Sequence, residues 1–459
     1  MTGEAEWGRP RRRRPDGRLA VLGERDFGWF FAGYATSLVG SSMAPVAVAF
    51  AVLDGGGGGT ELGWVMAARI LPIVLVMLVG GVVADRLGSR RVMLGSDVLR
   101  CAVQGGFAAA LATGHAPVWA MAALVAAWGL GEGLFMPALG ASVPALVRRK
   151  ERLPDANALL GLARSVSMVA GPALAGVITA GYGPGAVLLI DAVTYGIAAL
   201  ALARTSEIGP VGPVGPGGPI GEAGEAGPGA GGADSMWAEL RSGWAEFRSR
   251  RWLWVTTVQM ALFNLLVWAP FLVLGPLTAQ RELGGARAWG LVLGVYGVGA
   301  VLGGLLMLGR RPARPLAVAT VASLGWALPS AALAAGAALG WTLLAASVAG
   351  AGSAVCGALF DSTRQSWVPA GVLARVTAFG GLGAFVLGPL GLAAAGPVAD
   401  RVGVSRVLLF GAGWQLLAGA AVLAVREVRG RGWDGPAEPP GEAAPAAAGV
   451  RPGPGGGPD

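Results

Sequence analysis

Long apolar runs separated by short polar loops dominate the pattern of this chain. A helix needs about 20 mainly apolar residues to cross the hydrocarbon core of a membrane, and it satisfies its own backbone hydrogen bonds there. Twelve runs are long enough, so the pattern predicts an all-α membrane protein with twelve transmembrane helices. The predicted spans lie near residues 28–53, 62–84, 92–113, 117–139, 157–181, 186–204, 252–274, 288–308, 315–336, 338–359, 376–398 and 406–424.

A Gly/Pro-rich segment separates the first six spans from the last six. Such a composition cannot bury a core, so we interpret it as a linker. After it, Trp237, Leu240, Trp244 and Phe247 recur at helical spacing and predict an amphipathic helix on the membrane surface. The predicted organisation is a basic N-terminal arm (1–27), a six-helix bundle (28–204), the linker with its amphipathic helix (205–251), a second six-helix bundle (252–425) and a disordered tail (426–459).

The two halves of the chain carry related sequences. Phe135 and Pro144 in "GLFMPALGASVPALV" match Phe360 and Pro369 in "ALFDSTRQSWVPAGV". The match makes the fourth and tenth spans equivalent. Two parallel six-span halves joined by a linker are typical of a class of secondary transporters.

Composition and charge exclude other classes of protein. The chain is 54% hydrophobic and 14% charged, whereas soluble proteins have about 25% charged residues. The net charge of +8 comes mostly from arginines in short loops beside the spans, so we predict no nucleic-acid partner. Both termini and the even-numbered loops hold most arginines. The positive-inside rule therefore predicts that both termini lie in the cytoplasm, and we expect a multi-pass protein of the plasma or inner membrane.

Residues for metal or cofactor chemistry are scarce. Cys101 and Cys356 lie apart within apolar runs, and His115 is the single histidine. A metal site needs several such ligands at defined spacings, and the sequence has no GxxxxGK[ST] phosphate loop. We therefore predict no metal, no cofactor and no enzyme activity. The expected form is a monomer whose partners are a small-molecule substrate, protons and membrane lipid.

The loop between the second and third spans, within "GGVVADRLGSRRVML", is unusually charged. Gly81 allows close approach of another helix backbone. Asp85 lies at the end of the second span, where it can face the positive N-terminus of another helix. The eleventh span starts on the same side, and Arg86, Arg90 and Arg91 can pair with carboxylates or lipid phosphate.

This loop resembles the signature loop of the major facilitator superfamily, which joins the second and third helices on the cytoplasmic side. The resemblance implies twelve helices in two pseudo-symmetric bundles and a latch that holds one conformation of the rocking halves. The alternative is a loop that only anchors the topology. The similar "VADRVG" at 398–403 falls, by the repeat, in the outer loop before the last span, so it carries little weight. The matching residues of the loop are Gly81, Asp85, Arg86, Gly88, Arg90 and Arg91.

Further segments resemble the drug:proton antiporter branch, which includes macrolide and enterobactin exporters. They include "AARILPIVLVMLVGGVVADRLGSRRVML", "SDVLRCAVQ", "LFMPALGASVPALV" and "ANALLGLARSVSMVAGPALAG". The resemblance covers about residues 25–425 and implies export coupled to proton entry. Gly171, Pro172 and Gly176 resemble the exporters' helix-five motif, which implies a hinge or seal; a packing kink is the alternative. The fourth span lacks the arginine that many antiporters carry there.

Six ionisable residues lie within the predicted spans, all in the first half. A charge near the membrane centre costs at least ~2.5 kcal/mol, so such residues usually face a partner or a wet cavity. Asp97 and Arg100 are three apart on one helix, so we expect a structural pair, with a role in proton or substrate coupling as the alternative. Asp191 and Glu132 are the candidate proton carriers, with Arg69 and Arg164 as their counter-charges; fixed buried ion pairs are the alternative. The six residues are Arg69, Asp97, Arg100, Glu132, Arg164 and Asp191.

The second half is weakly polar within its spans. Phe263, Asn264, Trp268 and Phe271 on the seventh span predict a mostly apolar cavity. Such a cavity favours a hydrophobic or amphiphilic cargo over a sugar or an inorganic ion. The sequence therefore predicts an exporter of a drug, antibiotic or secondary metabolite driven by proton antiport. A dedicated siderophore or metabolite exporter is the main alternative, followed by a non-transporting sensor or scaffold.

Overall fold

The described part of the chain consists of helices joined by short connections, and no strand occurs in it. The predicted basic arm before residue 19, most of the linker and amphipathic helix, the tail after residue 433 and His115 lie outside the described residues. In this computed structural model the described residues are 19–114, 116–206, 241, 244, 247–368, 373, 376–377, 380–381, 387–430 and 432–433, with the side chains of 77–82 and 85 left out.

The first half contains six long helices within the described residues. The first of them, α1, is buried on all sides from residue 46 to residue 53, as expected for a helix segment that is apolar all round. The six are α1 (Arg25–Asp54), α2 (Gly59–Leu87), α3 (Ser89–Ala112), α4 (Val118–Leu146), α5 (Leu153–Tyr182) and α6 (Pro184–Ala203).

The second half repeats this arrangement, with two irregular helices. π-Helical turns interrupt α7 at Asn264–Trp268 and Ala279–Leu283, and a 3₁₀ turn interrupts α9 at Leu324–Trp326. Such interruptions often mark functional sites or hinges. The described helices are α7 (Arg251–Leu283), α8 (Ala286–Met307), α9 (Pro315–Ala334), α10 (Leu339–Trp367), α11 (Gly388–Val402) and α12 (Val404–Ala424).

The predicted all-α membrane fold is confirmed. Ten helices of the described chain are long and apolar enough to cross a membrane. α3 falls short because it carries Asp97, Arg100 and Gln104 among its apolar residues, and α11 has fifteen residues as given above, too few for a span.

The "VADRVG" segment differs from its expected place in a loop. α11 continues to Val402, and Gly403 alone turns the chain into α12. Gly403 has a φ of +95°, and Gly88 between α2 and α3 has a φ of +84°, a backbone region that favours glycine. Asp400 therefore lies in the last turn of a helix, three residues before a glycine turn, as Asp85 does in α2.

The two ends of the bundle differ in charge. The arginine-rich end holds the connections from α2 to α3, α4 to α5, α8 to α9 and α10 to α11. The arginine-poor end holds the connections from α1 to α2, α5 to α6, α7 to α8 and α11 to α12. These two names are used below for the two sides of the protein.

The halves pack closely at the arginine-poor end. A Cβ atom at Gly63 of α2 would overlap the carbonyl oxygen of Leu392, and one at Gly396 would overlap the backbone of Gly59 and Thr60. Small residues let helix backbones approach to this distance. We call Gly59, Gly63, Leu392 and Gly396 the α2–α11 seam. The two described hydrogen bonds between the halves lie at this same end.

Candidate functional site

A buried carboxyl group lies inside the first half. Asp191 of α6 is 0% exposed, and its Oδ2 accepts a 2.7 Å hydrogen bond from Nε2 of Gln104 on α3. Gly40 of α1 covers it so closely that a Cβ atom there would touch Thr194 and Asp191. The described hydrogen bonds of the Asp191 carboxyl therefore come from neutral groups.

Arg100 lies on α3 one helix turn from Gln104, toward the arginine-rich end. Its guanidinium forms an ion pair with Asp97 on the same helix and stacks 4.4 Å from the ring centres of Phe135 and Tyr195. Both charged side chains are buried. The predicted pair is thus present in the structure, enclosed by aromatic rings that favour a cation over their faces.

Tyr195 joins these charged groups to α1 and α4. Its hydroxyl accepts a 2.9 Å hydrogen bond from Nε1 of Trp128 and lies 2.8 Å from the Ser41 hydroxyl. The side chain is 1% exposed. Neither Tyr195 nor Gln104 is among the residues predicted from sequence, because neutral polar groups in a span give no charge signal.

A second ion pair links α2 to α4. Nη2 of Arg69 lies 2.7 Å from Oε2 of Glu132, and Nε donates a 3.2 Å hydrogen bond to the same oxygen. The two side chains are 24% and 28% exposed. The Arg69 guanidinium also lies 3.9 Å from the ring centre of Trp128. Arg69 is therefore the counter-charge of Glu132.

Arg164 of α5 does not reach either candidate carboxylate. Its Nε donates a 3.0 Å hydrogen bond to the Tyr34 hydroxyl, and the side chain is exposed. Within the described chain it makes no ion pair. The predicted pairing of Arg164 with Glu132 or Asp191 is absent, because Arg69 already holds Glu132 and the Arg164 side chain turns toward α1.

A cavity of about 490 Å³ opens between α4 and α5, toward the arginine-rich end. Leu139, Val143 and Leu160 line it together with Asn157 and Arg164. Its volume falls within the range of small-molecule sites. Such sites are also typically lined by apolar side chains with a few polar groups, as this cavity is.

The described part of the signature loop caps another helix. Arg90 donates hydrogen bonds to the carbonyl oxygens of Leu202 and Ala203 at the end of α6, at 3.2 Å and 2.8 Å. A cation at a helix C-terminus is favourable. Arg86 is exposed. Gly81 and Asp85 lie in α2, but their surroundings are not among the described features. The latch role of the loop stays a prediction.

The helix-five motif lies at two close helix contacts. A Cβ atom at Gly171 would overlap Ser42 of α1. On the other side, a Cβ atom at Gly290 of α8 would lie 2.5 Å from the carbonyl oxygen of Pro172, and one at Gly176 would lie 2.6 Å from that of Ala286. The motif therefore lies against both α1 and the opposite half.

Two polar contacts between the halves accompany the α2–α11 seam. The Thr60 hydroxyl donates a 2.7 Å hydrogen bond to Oδ2 of Asp400, which brings an anion to the N-terminal turn of α2. Nε2 of Gln280 donates to Asp54 at 3.1 Å. Asp400 belongs to the segment that the sequence places in a loop, although its spacing to Gly403 equals that of Asp85 to Gly88.

The aromatic residues predicted for the second half form a cluster around Trp326. Trp268 and Phe271 lie 5.0 Å and 5.4 Å from its ring, edge-on, and Phe263 lies 5.5 Å away. Nε1 of Trp326 donates a 2.6 Å hydrogen bond to Ser353. The cluster lies at the irregular turns of α7 and α9, and periodicity alone could not predict that Trp326 is its centre.

Two of the predicted cavity residues are enclosed rather than open. Phe271 is 1% exposed and Asn264 is 8% exposed. The Asn264 side-chain amide donates to the Met260 carbonyl oxygen at 3.0 Å. In the conformation described, Trp268 and Phe263 are the partly accessible members of the predicted set. Among the described residues, no group of three or more His, Cys, Asp or Glu side chains could hold a metal ion.

Comparison with known proteins gives a family match, a distant relative and similar solved structures. The profile of the Major Facilitator Superfamily matches residues 30–392. Macrolide efflux protein A of Streptococcus pyogenes is 22% identical over 401 residues, which cover 86% of this chain and 93% of that protein. A mutant of the nucleoside transporter NupG superposes with a TM-score of 0.65 at 16% identity, over 87% of this chain and 99% of its own. The inward-open xylose transporter XylE from E. coli superposes with a TM-score of 0.61 at 12% identity, over 91% and 98%.

Proposed function

This chain belongs to the Major Facilitator Superfamily, a family of transporters rather than enzymes, and on that premise we propose that it exports a small hydrophobic or amphiphilic compound in exchange for protons. The similarity to a macrolide efflux protein supports export. The mostly apolar lining of the cavity between α4 and α5 supports an apolar or amphiphilic cargo.

The observation that carries the proposed proton coupling is the environment of Asp191. The carboxyl is fully buried, and its described hydrogen bonds come from Gln104 and Thr194. Protonation of Asp191 would break no ion pair there, whereas protonation of Glu132 would release Arg69. A site that gains and loses a proton in each cycle is better served by the first arrangement. Asp191 is therefore the proposed carrier, and Glu132 is the alternative.

The proposed mechanism is alternating access by rocking of the two halves. We assign the arginine-rich end to the cytoplasm and both termini to the same side, in the plasma membrane. The described contacts between halves at the arginine-poor end then correspond to a form closed toward the outside. The proposed division into a 28–204 bundle and a 252–425 bundle follows the same symmetry.

The test uses inside-out vesicles that contain the protein, with an imposed pH gradient. Macrolides, lipophilic cations and siderophores are added in turn while the gradient is followed by a fluorescent pH probe. We expect some compounds to collapse the gradient and Asp191→Asn to abolish that response. Asp361→Asn is the matched control, because Asp361 is 58% exposed at the end of α10. If folded, inserted protein gave no response to any compound, or if Asp191→Asn behaved as wild type, the proposed antiport through Asp191 would be wrong.

A further inference from the structure

Arg164 lies on the face of α5 that lines the cavity. Asn157 and Leu160, seven and four positions earlier, line the same cavity, and residues at these spacings share a helix face. One turn after Arg164, the backbone of Met168 approaches Gly297 of α8 in the opposite half. Arg164 therefore lies one turn closer to the arginine-rich end than this contact between the halves.

Arg164 lies well away from the start of α5, and a hydrogen bond holds its exposed guanidinium. It lies eleven residues after the start of α5 at Leu153, which is roughly 16 Å along the helix. Its Nε donates to the hydroxyl of Tyr34, a side chain that is 6% exposed and stacked on Phe30 and Phe135. The two remaining amino groups of the guanidinium have no described partner and belong to an exposed side chain.

Among the described side chains of the membrane-spanning region, no carboxylate pairs with Arg164. Within the first half, Asp97 and Glu132 pair with other arginines, and Asp191 is fully buried among neutral groups. The second half has no Asp or Glu between Glu282 and Asp400 except Asp361, and Asp361 pairs with Arg364 near the end of α10. A cation within a membrane-spanning helix is costly unless it meets water or an anion.

The apolar cavity begins at this cation. Leu139, Val143 and Leu160 line the cavity, and Asn157 adds a neutral polar group one helix turn below Leu160. The site therefore places one guanidinium, which has no ion-pair partner among the described side chains, in the wall of a cavity of about 490 Å³ that also has apolar side chains in its lining. Guanidinium groups bind carboxylates and phosphates through two parallel hydrogen bonds.

We propose that Arg164 binds the anionic group of an amphiphilic cargo, with the apolar body of the cargo in the cavity between α4 and α5. This binding role rests on the export function proposed above, because the bound compound is taken to be the exported one. The expected substrate is a carboxylate or phosphate carried on a compact apolar body. Neutral and cationic compounds fall outside this class.

The test is a binding measurement on the full chain in nanodiscs of zwitterionic lipid. Naphthoate, its methyl ester and naphthylmethylamine have similar apolar bodies and differ in charge. Titration calorimetry, with empty nanodiscs subtracted, gives the affinity for each. We expect naphthoate to bind about tenfold or more tightly than the ester, as a charge-assisted hydrogen bond predicts, and the amine to bind more weakly than the ester.

Variants of Arg164 assign the preference to this side chain. Arg164→Gln should remove the preference for naphthoate and leave the affinity for the ester within about twofold, and Arg164→Lys should keep part of it because the charge remains. Arg148→Gln is the matched control, since Arg148 is 77% exposed at the bundle end. Equal affinities of wild type for the three compounds, or an unchanged preference in folded Arg164→Gln, would overturn the proposal.

Anionic lipid and the Asp191 variant supply two further arms of the experiment. Nanodiscs with anionic phospholipid should leave naphthoate binding within a few-fold; loss of the preference there would show that a lipid phosphate occupies Arg164, and the proposal would be wrong. Asp191→Asn should keep the preference, since binding needs no proton transfer. Failure of antiport in vesicles with an intact preference would therefore contradict the proposed proton coupling alone.

Discussion

Substitution of Gly396 by alanine should push the two halves apart at the arginine-poor end. The added methyl group would overlap backbone atoms of Gly59 and Thr60 in the opposite half. Backbone atoms cannot rotate away as a side chain can. Overpacking of this kind typically costs about 1–3 kcal/mol, and here the cost applies only to the conformation in which the α2–α11 seam is closed.

Helix propensity does not offset this cost. Alanine is better than glycine inside a helix by about 1 kcal/mol, but Gly396 belongs to α11 in both conformations, so that gain cancels between them. The remaining 1–3 kcal/mol shifts the ratio of closed to open conformations by roughly 5- to 150-fold. Gly396→Ala should therefore populate the form that is open at the arginine-poor end.

The assay is a distance measurement by double electron–electron resonance. Cys101 and Cys356 are first replaced by serine, and spin labels are placed at Tyr182 and Arg281, which are exposed positions of opposite halves at the arginine-poor end. Gly396→Ala should add or enlarge a longer-distance population.

Gly413→Ala is the matched control for this measurement. A Cβ atom at Gly413 meets nothing within 4 Å, so the variant has the same gain in helix propensity without an overlap. We expect its distance distribution to equal that of the unsubstituted protein. If Gly396→Ala and Gly413→Ala gave the same distribution, the argument that the seam is a close contact between the halves would be refuted.

Three smaller perturbations test other contacts. Thr60→Val removes the hydrogen bond to Asp400. Such a bond is typically worth about 0.5–1.5 kcal/mol, so the ratio of closed to open conformations should fall by up to about tenfold in the same resonance experiment. Thr60→Ser keeps a hydroxyl and should give the original distance distribution. Arg90→Gln removes a cation from the end of α6 and should lower the Tm in detergent by a few degrees, as a loss of about 1 kcal/mol implies. Arg69→Gln leaves Glu132 without its counter-charge and should lower the Tm further. The double variant with Glu132→Gln should regain most of the loss. An unchanged Tm in Arg90→Gln or in Arg69→Gln would contradict the contact that the variant removes.

Much of the fold could be predicted from the sequence, because the membrane imposes it. A span must supply about 20 apolar residues, so each helix appears as a run, and the linker separates the halves. The contact of Asp97 with Arg100 was predictable for a related reason. Two residues three apart on one helix meet whatever the helix packs against.

Contacts between helices were harder to predict. Arg164 was expected to reach a carboxylate. Which side of α5 packs against α1 depends on the close contact of Gly171 with Ser42, and the spacing of residues along the sequence does not reveal that contact. Thr60 and Asp400 are 340 residues apart in the chain, and only the meeting of α2 with α11 brings them together. Neutral partners such as Gln104 gave no signal at all.

The glycines of the α2–α11 seam also bear on how fast the protein can cycle. In the proposed alternating-access cycle, this surface separates and forms again. Glycine has no side-chain rotamers to order, whereas a long polar side chain loses up to about 2 kcal/mol of conformational entropy when it is fixed. Closure at Gly59, Gly63 and Gly396 therefore carries little entropic cost from side chains, so the seam can form again without first ordering any of them.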